Sequence, residues 1–127
     1  MEIVERVYAE WERGNFRTPE FFDPDVHVIW TDPILVPKAE NRGTEEVAKS
    51  MTEFLDAYEH LRATAERIID AGDRVVTVSV WRGRGKSSGV PWEERQGTVW
   101  TVSHGKATRL VNYRDPAEAL EAAGLSE

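Results

Sequence analysis

No cysteine occurs among the 127 residues. Disulfides, thiolate metal sites and a cysteine nucleophile are thereby excluded. Positive charge is also in short supply: 16 lysines and arginines stand against 23 acidic residues, a net charge of −7. A chain this acidic is a poor partner for nucleic acid or an anionic membrane surface, because both repel it. Long apolar runs are missing too. No stretch approaches the ~20 apolar residues that a bilayer span needs. Met1-Glu2-Ile3-Val4-Glu5-Arg6 lacks the basic and apolar regions of a secretory signal. The expectation is a soluble cytoplasmic protein without repeats or low-complexity tracts. What is present is ordinary globular composition, 40% hydrophobic and 31% charged. It predicts one domain spanning residues 1–127, able to bury about two-thirds of its unfolded surface.

The chemical hint lies in His27-Val28-Ile29-Trp30-Thr31-Asp32-Pro33. Val28, Trp30 and Asp32 sit two apart, so in a strand they share a face. A carboxylate beside a tryptophan on an apolar face is costly without a reason. Pro33 ends the ladder and puts Asp32 at a strand end. Before this strand, Ile3, Val4, Val7, Tyr8 and Trp11 mark an amphipathic helix over residues 2–13, with Gly14 as its C-terminal glycine. Thr18-Pro19-Glu20 opens a short helical turn carrying Phe21 and Phe22, which Asp23-Pro24-Asp25 breaks.

After the strand, Pro33 to Gly43 reads as an irregular loop, long enough for a rim or flap. Thr44 is the expected cap of the next helix, whose stripe is Val47, Met51, Phe54, Leu55 and Tyr58 and whose end falls near His60. Four strands follow. Residues 62–71 and 74–84 turn at Ala71-Gly72-Asp73, and Lys86-Ser87-Ser88-Gly89 connects to 90–102. Ser103-His104-Gly105 then leads to 106–114. Asp115-Pro116-Ala117-Glu118 has capping-box spacing and opens a terminal helix stopped at Gly124. This order predicts an α+β fold: a cone-shaped, strongly curved, mostly antiparallel mixed sheet wrapped around three to four helices. The mouth of such a cone is an apolar pocket, the default place for a small ligand.

The residues resemble the nuclear transport factor 2-like superfamily, in its SnoaL-like and ketosteroid-isomerase-like branch. The carriers include Val4-Glu5-Arg6-Val7-Tyr8-Ala9-Glu10-Trp11-Glu12-Arg13-Gly14, Phe22-Asp23-Pro24-Asp25-Val26 and Thr31-Asp32-Pro33. Downstream come Asp70-Ala71-Gly72-Asp73-Arg74-Val75-Val76, Val99-Trp100-Thr101-Val102, Gly105-Lys106 and Tyr113-Arg114-Asp115-Pro116-Ala117-Glu118-Ala119-Leu120. The resemblance implies that Asp32 matches the proton-shuttling base of the isomerase, and that the protein is a homodimer through its sheet. It also shows departures. The isomerase's oxyanion-hole tyrosine and protonated aspartate fall at Val7, with Tyr8 beside it, and at Thr98. The water-activating aspartate of limonene-type epoxide hydrolases falls at Asn112. Because this superfold hosts many chemistries, function rests on the site itself.

Asp32 reads either as a base, its carboxyl raised above ~3.9 by an apolar mouth, or as a turn aspartate bonding its neighbours before proline. On the paired strands, Val76, Val78 and Val80 are expected inward, carrying Arg82 with them. Glu94, Gln96, Thr98, Trp100 and Val102 share one face, as do Leu110 and Asn112. The opposite parity would exchange Thr77, Ser79 and Trp81 with the valines. Arg82 and Glu94 also read as a plain cross-strand ion pair. Tyr8, Trp11, Phe16, Trp30, Phe54, Tyr58 and Trp100 form an aromatic set that is core unless a cavity claims it. Trp81 and Trp92 are expected on the outer face or its end, where they would suggest a subunit contact. His27, His60 and His104 lack metal spacing, and no cofactor motif occurs. The basic hairpin end Arg82-Gly83-Arg84-Gly85-Lys86 would attract an anionic substrate.

Two functions follow. One is a cofactor-free isomerase, cyclase or dehydratase that moves a proton on a small hydrophobic carbonyl compound with Asp32 as base. Its substrate would meet Tyr8, Trp11, Trp30, Phe54, Tyr58, Arg82, Gln96, Thr98, Trp100 and Asn112. The other is a non-catalytic small-molecule-binding or accessory homodimer.

Overall fold

The computed structural model describes residues 1–31 and 40–125. Asp32 and most of the loop read from Pro33 to Gly43 lie outside those residues. Helix α1 spans Glu2–Glu12 and buries Val4, Val7, Tyr8 and Trp11. It ends as its glycine predicts. Gly14 takes φ +89°, the Gly14 amide bonds the Trp11 carbonyl at 3.0 Å and that of Asn15 bonds Glu10 at 2.9 Å, a Schellman closure. A 3-10 turn, Pro19–Phe21, leads into β1, Phe22–Trp30. Asp23 caps an Asx turn there, accepting from the Asp25 amide at 2.8 Å, and the ladder slips between Phe22 and His27.

Residues 40–42, read as loop, form a short strand β2, Glu40–Arg42, antiparallel to β1. Three residues carry too little periodicity to announce a strand. Helix α2 spans Thr44–Ala57, but Thr44 does not cap it: Gly43 holds the N-cap position and no side chain bonds the first turn. Its stripe is only half-buried, because it roofs a cavity rather than entering a core. The helix also ends before His60. The chain turns extended at Tyr58, and β3, Tyr58–Asp70, starts four residues earlier than its pattern suggests. The misleading cause is a bulge at His60, φ 57°, which breaks the alternation of the first residues.

Strands β4 (Arg74–Gly85), β5 (Pro91–Ser103) and β6 (Lys106–Tyr113) complete an open sheet of order β2-β1-β6-β5-β4-β3. Only β1 and β6 pair in parallel. His104 and Gly105, at φ 53° and 73°, supply the two left-handed residues of a type I′ turn. Helix α3, Pro116–Ala122, is capped as read: Asp115 accepts from the Ala117 amide, and Gly124 (φ +76°) closes its end.

The sheet has two covered faces. α1 and α2 lie on one, against β1, β2 and β3, while α3 crosses the other against β5. The sheet therefore wraps around α1 and α2 only, and α3 lies outside that wrap. Gly97 shows why α3 fits there, since a Cβ at that position would stand 2.6 Å from the Ala119 Cβ and 2.9 Å from the Pro116 Cα. The main core joins α1 to the first face; a smaller cluster of Val76, Val99, Ala119 and Leu120 lies under α3. No helix of the described residues is long and apolar enough to cross a membrane.

The inward parity of β4 is the opposite of the one expected. In an antiparallel pair, directly opposed residues share a face. Val75 opposes Trp100, Thr77 opposes Thr98, Ser79 opposes Gln96 and Trp81 opposes Glu94. Bringing Trp100 inside therefore brings Thr77, Ser79 and Trp81 with it. Val76, Val78 and Val80 turn to the second face. There α3 buries Val76, and Val78 and Val80 lie beside their partners Arg67 and Arg95. Arg95 forks onto Glu66 at 2.8 and 3.1 Å, and the alkyl stems of such side chains cover valines from water.

Candidate functional site

Between α2 and the concave face lies a cavity of about 110 Å³. Its walls explain the half-buried stripe of α2: Val47, Ser50, Met51 and Phe54 face it across from β1, β4, β5 and β6. All five tryptophans of the chain, Trp11, Trp30, Trp81, Trp92 and Trp100, line it. Their rings are mutually braced. Trp11 sits 5.5 Å from Trp81 and 5.9 Å from Trp100, and Phe54 packs 5.6 Å from Trp92. Such edge and tilted contacts are the favourable geometries for quadrupolar rings.

Polar groups gather at one end. The Thr98 hydroxyl donates to Asn112 Oδ1 at 2.7 Å, which leaves Asn112 Nδ2 as that side chain's donor toward a ligand. The Asn112 carbonyl accepts twice from Thr31, from its amide at 3.1 Å and its hydroxyl at 2.9 Å. Ser50 donates to Asn41 Oδ1 at 2.9 Å on the α2 side. Along the same wall Glu94 meets Arg114 at 3.2 Å.

Behind the rings runs a sealed chain. The Thr77 hydroxyl accepts from Trp100 Nε1 at 3.0 Å and shares a hydrogen bond with the Tyr8 phenol at 2.8 Å. Burial pushes the Tyr8 phenol above its ordinary value, and its hydrogen bond with Thr77 and the polar groups of Ser79, Trp100 and Thr98 around it offset that only in part. It stays protonated at neutral pH. Trp81 Nε1 and Ser79 Oγ are buried with no partner among the described residues.

Of the residues expected to meet a ligand, Trp11, Trp30, Phe54, Gln96, Thr98, Trp100 and Asn112 line the cavity. Tyr8 does not; it is spent in the Thr77 chain behind the wall. Tyr58 stacks 4.9 Å from Trp92, outside the lining. Arg82 is on the wrong face: exposed, it pairs with Glu93 at 2.6 Å rather than with Glu94, because β4 presents its even-numbered residues outward. The aromatics expected outside are inside, with Trp81 only 6% exposed and Trp92 in the wall. Register would have found Trp81. Nothing local announced Asn41 or Ser50, which depend on a three-residue strand and a half-buried helix face. Among the described residues no cluster of three histidines, aspartates or glutamates could hold a metal.

Comparison with known proteins agrees with this architecture. The model of the SnoaL-like domain matches residues 4–110. No curated protein matches the sequence. Among solved structures, a protein of ketosteroid isomerase-like fold from Catenulispora acidiphila, in complex with trimethylamine, superposes with TM-score 0.75 at 21% identity, covering 98% of this chain and 93% of that one. TerC, co-crystallised with polyporic acid, gives TM-score 0.77 at 19% identity over 97% and 96% of the two chains. A candidate SnoaL-like polyketide cyclase from Mesorhizobium loti gives 0.73 at 18% identity over 88% and 96%. With a family model matching most of its length, this chain belongs to the SnoaL-like domain family.

Proposed function

We propose that the cavity binds a small, largely apolar carbonyl compound and that Asp32 moves a proton on it without a cofactor. The observation that supports this best is the Asn112 node. Its side-chain oxygen is held by Thr98, its carbonyl holds both polar groups of Thr31, and Thr31 is the residue before Asp32. A base tethered at this end would remove a proton from the carbon beside the carbonyl. The C–H electron pair becomes a C=C bond, and the carbonyl π pair moves to oxygen. Asn112 Nδ2 and the Gln96 carboxamide then donate hydrogen bonds to that oxygen, the electrostatic assistance such an enolate needs. Returning the proton to another carbon of the enolate system gives isomerisation; attack by the enolate carbon on a second carbonyl of the same molecule, whose π pair moves to its oxygen and takes up the proton from Asp32, gives aldol-type cyclisation. Similar structures bound to trimethylamine and to polyporic acid, and one that is a candidate cyclase, support a small-molecule site.

Turnover of an activated proton-abstraction substrate tests the reading. Asp32→Asn should slow it by about 10²–10⁴-fold, with the fold intact by circular dichroism; equal rates would reject Asp32 as the base. A second reading, a non-catalytic binding homodimer of the cytoplasm, is favoured by the departures at the isomerase donors. Thr98 stands at the acid position and is committed to Asn112, and Tyr8 is sealed behind the wall. The dimer rests on family resemblance, since the only large hydrophobics exposed among the described residues are Met1 and Val90. A monomeric mass at micromolar concentration would remove it.

A further inference from the structure

We infer that Glu94 makes this cavity selective for ligands with a compact cationic head, an alkylammonium group held between its carboxylate and the tryptophan faces. The inference rests on the cavity being a small-molecule site, as proposed above. It does not depend on Asp32.

Glu94 is placed oddly for a surface ion pair. It lies two residues from Trp92 on the same strand face and directly opposite Trp81 on β4. The Phe54 ring closes over this end, 5.6 Å from Trp92 and 6.4 Å from Trp81. Glu94 thus shares the cavity wall with two indoles and a phenyl ring, with its side chain only 20% exposed. A charge so enclosed needs a counter-charge. Arg114 supplies it at 3.2 Å, from a side chain 54% exposed. A half-solvated pair of this kind is weak and easily exchanged.

A ligand cation would do more than Arg114 does there. It would meet the carboxylate and also the electron-rich ring faces, which attract a cation within about 6 Å of their centroids, tryptophan most strongly. A neutral ligand of the same shape has no use for the carboxylate and must desolvate it, which is discrimination by penalty as well as by attraction. The cavity volume, about 110 Å³, lies below the ~150 Å³ that accommodates a benzene ring, so the buried group is compact. The net charge of −7 draws cations toward the protein.

The full chain should be titrated with choline and with 3,3-dimethylbutan-1-ol, its neutral carbon isostere, following tryptophan fluorescence. Choline is expected to bind about tenfold tighter than the isostere. Glu94→Gln should erase that difference, and Arg114→Gln, which removes the competing cation, should tighten choline. The choline methyl protons should shift upfield in the native protein through ring currents, a readout that needs no variant. Equal or weaker binding of choline relative to the isostere, or no upfield shift, overturns the inference. 3,3-Dimethylbutan-2-one, a compact neutral ketone, separates the two claims. If it binds where choline does not, only the cation selectivity fails. If neither cation, isostere nor ketone binds, the small-molecule site itself is wrong.

Discussion

The two faces of the sheet use the same strands for different ends. The concave face presents Trp81, Thr98, Trp100 and Asn112 around a void, large rings with a short hydroxyl and an amide, and Thr77 behind them. The opposite face presents Val76, Val78, Val80 and Val99, all buried, under a seven-residue helix and a lattice of charged side chains. Close-packed valines tolerate no void, because interiors reach crystal-like density. Rings braced against one another can leave a gap while each keeps its own contacts. The stable packing layer and the functional layer are therefore back to back, and each residue serves one of them.

Removing a ring should break the comparison most severely. Trp100 is fully buried, and Trp100→Ala is expected to cost about 3–5 kcal/mol in denaturant unfolding and to abolish the ligand-induced fluorescence change. On the other face, Val78→Ala should cost roughly 1–2 kcal/mol and leave that change intact. If Val78→Ala damaged ligand binding more than Trp100→Ala did, the functional face would be assigned backwards.

A smaller effect is expected where α3 docks. Gly97→Ala pushes a methyl into Ala119 and the Pro116 backbone, an overpacking cost of about 1–3 kcal/mol. Hydrogen exchange should report lost protection in residues 116–122 while the cavity still binds its ligand. Loss of binding without loss of helix protection would show that the two faces are coupled. The smallest effect belongs to Arg82→Ala. Both partners of its pair with Glu93 are more than half exposed, so stability should change by under about 1 kcal/mol and ligand affinity not at all. A clear drop in affinity would return Arg82 to the site.

Much of this was legible in the chain. Gly14, Asp115-Pro116 and Gly124 ended or opened helices where their chemistry predicts, since caps act within a few residues. The turns at Gly72 and His104-Gly105 were equally local. Trp100, Thr98 and Asn112 were read on the cavity side because β5 and β6 alternate cleanly. Thr44 misled because a glycine one residue earlier took the cap. The start of β3 misled because the bulge at His60 disguises it. β4 misled for a deeper reason: Val75-Val76 and the alternating run to Trp81 are hydrophobic or small on both faces, so pattern alone does not say which side is in.

What the sequence determined by itself is the set of elements apart from the three-residue β2, their order, and a chain rich enough in tryptophan for a ring-lined pocket. These depend on caps, turns and periodicity, which act over a few residues. Which face of each strand meets the cavity was decided only in the tertiary structure. Alternation in a strand is symmetric under a flip, and only the pairing of Trp81 with Glu94 and Thr77 with Thr98 breaks that symmetry. The same pairing put Trp81 beside a carboxylate, sent Arg82 away from it, and left the β4 valines to the opposite face.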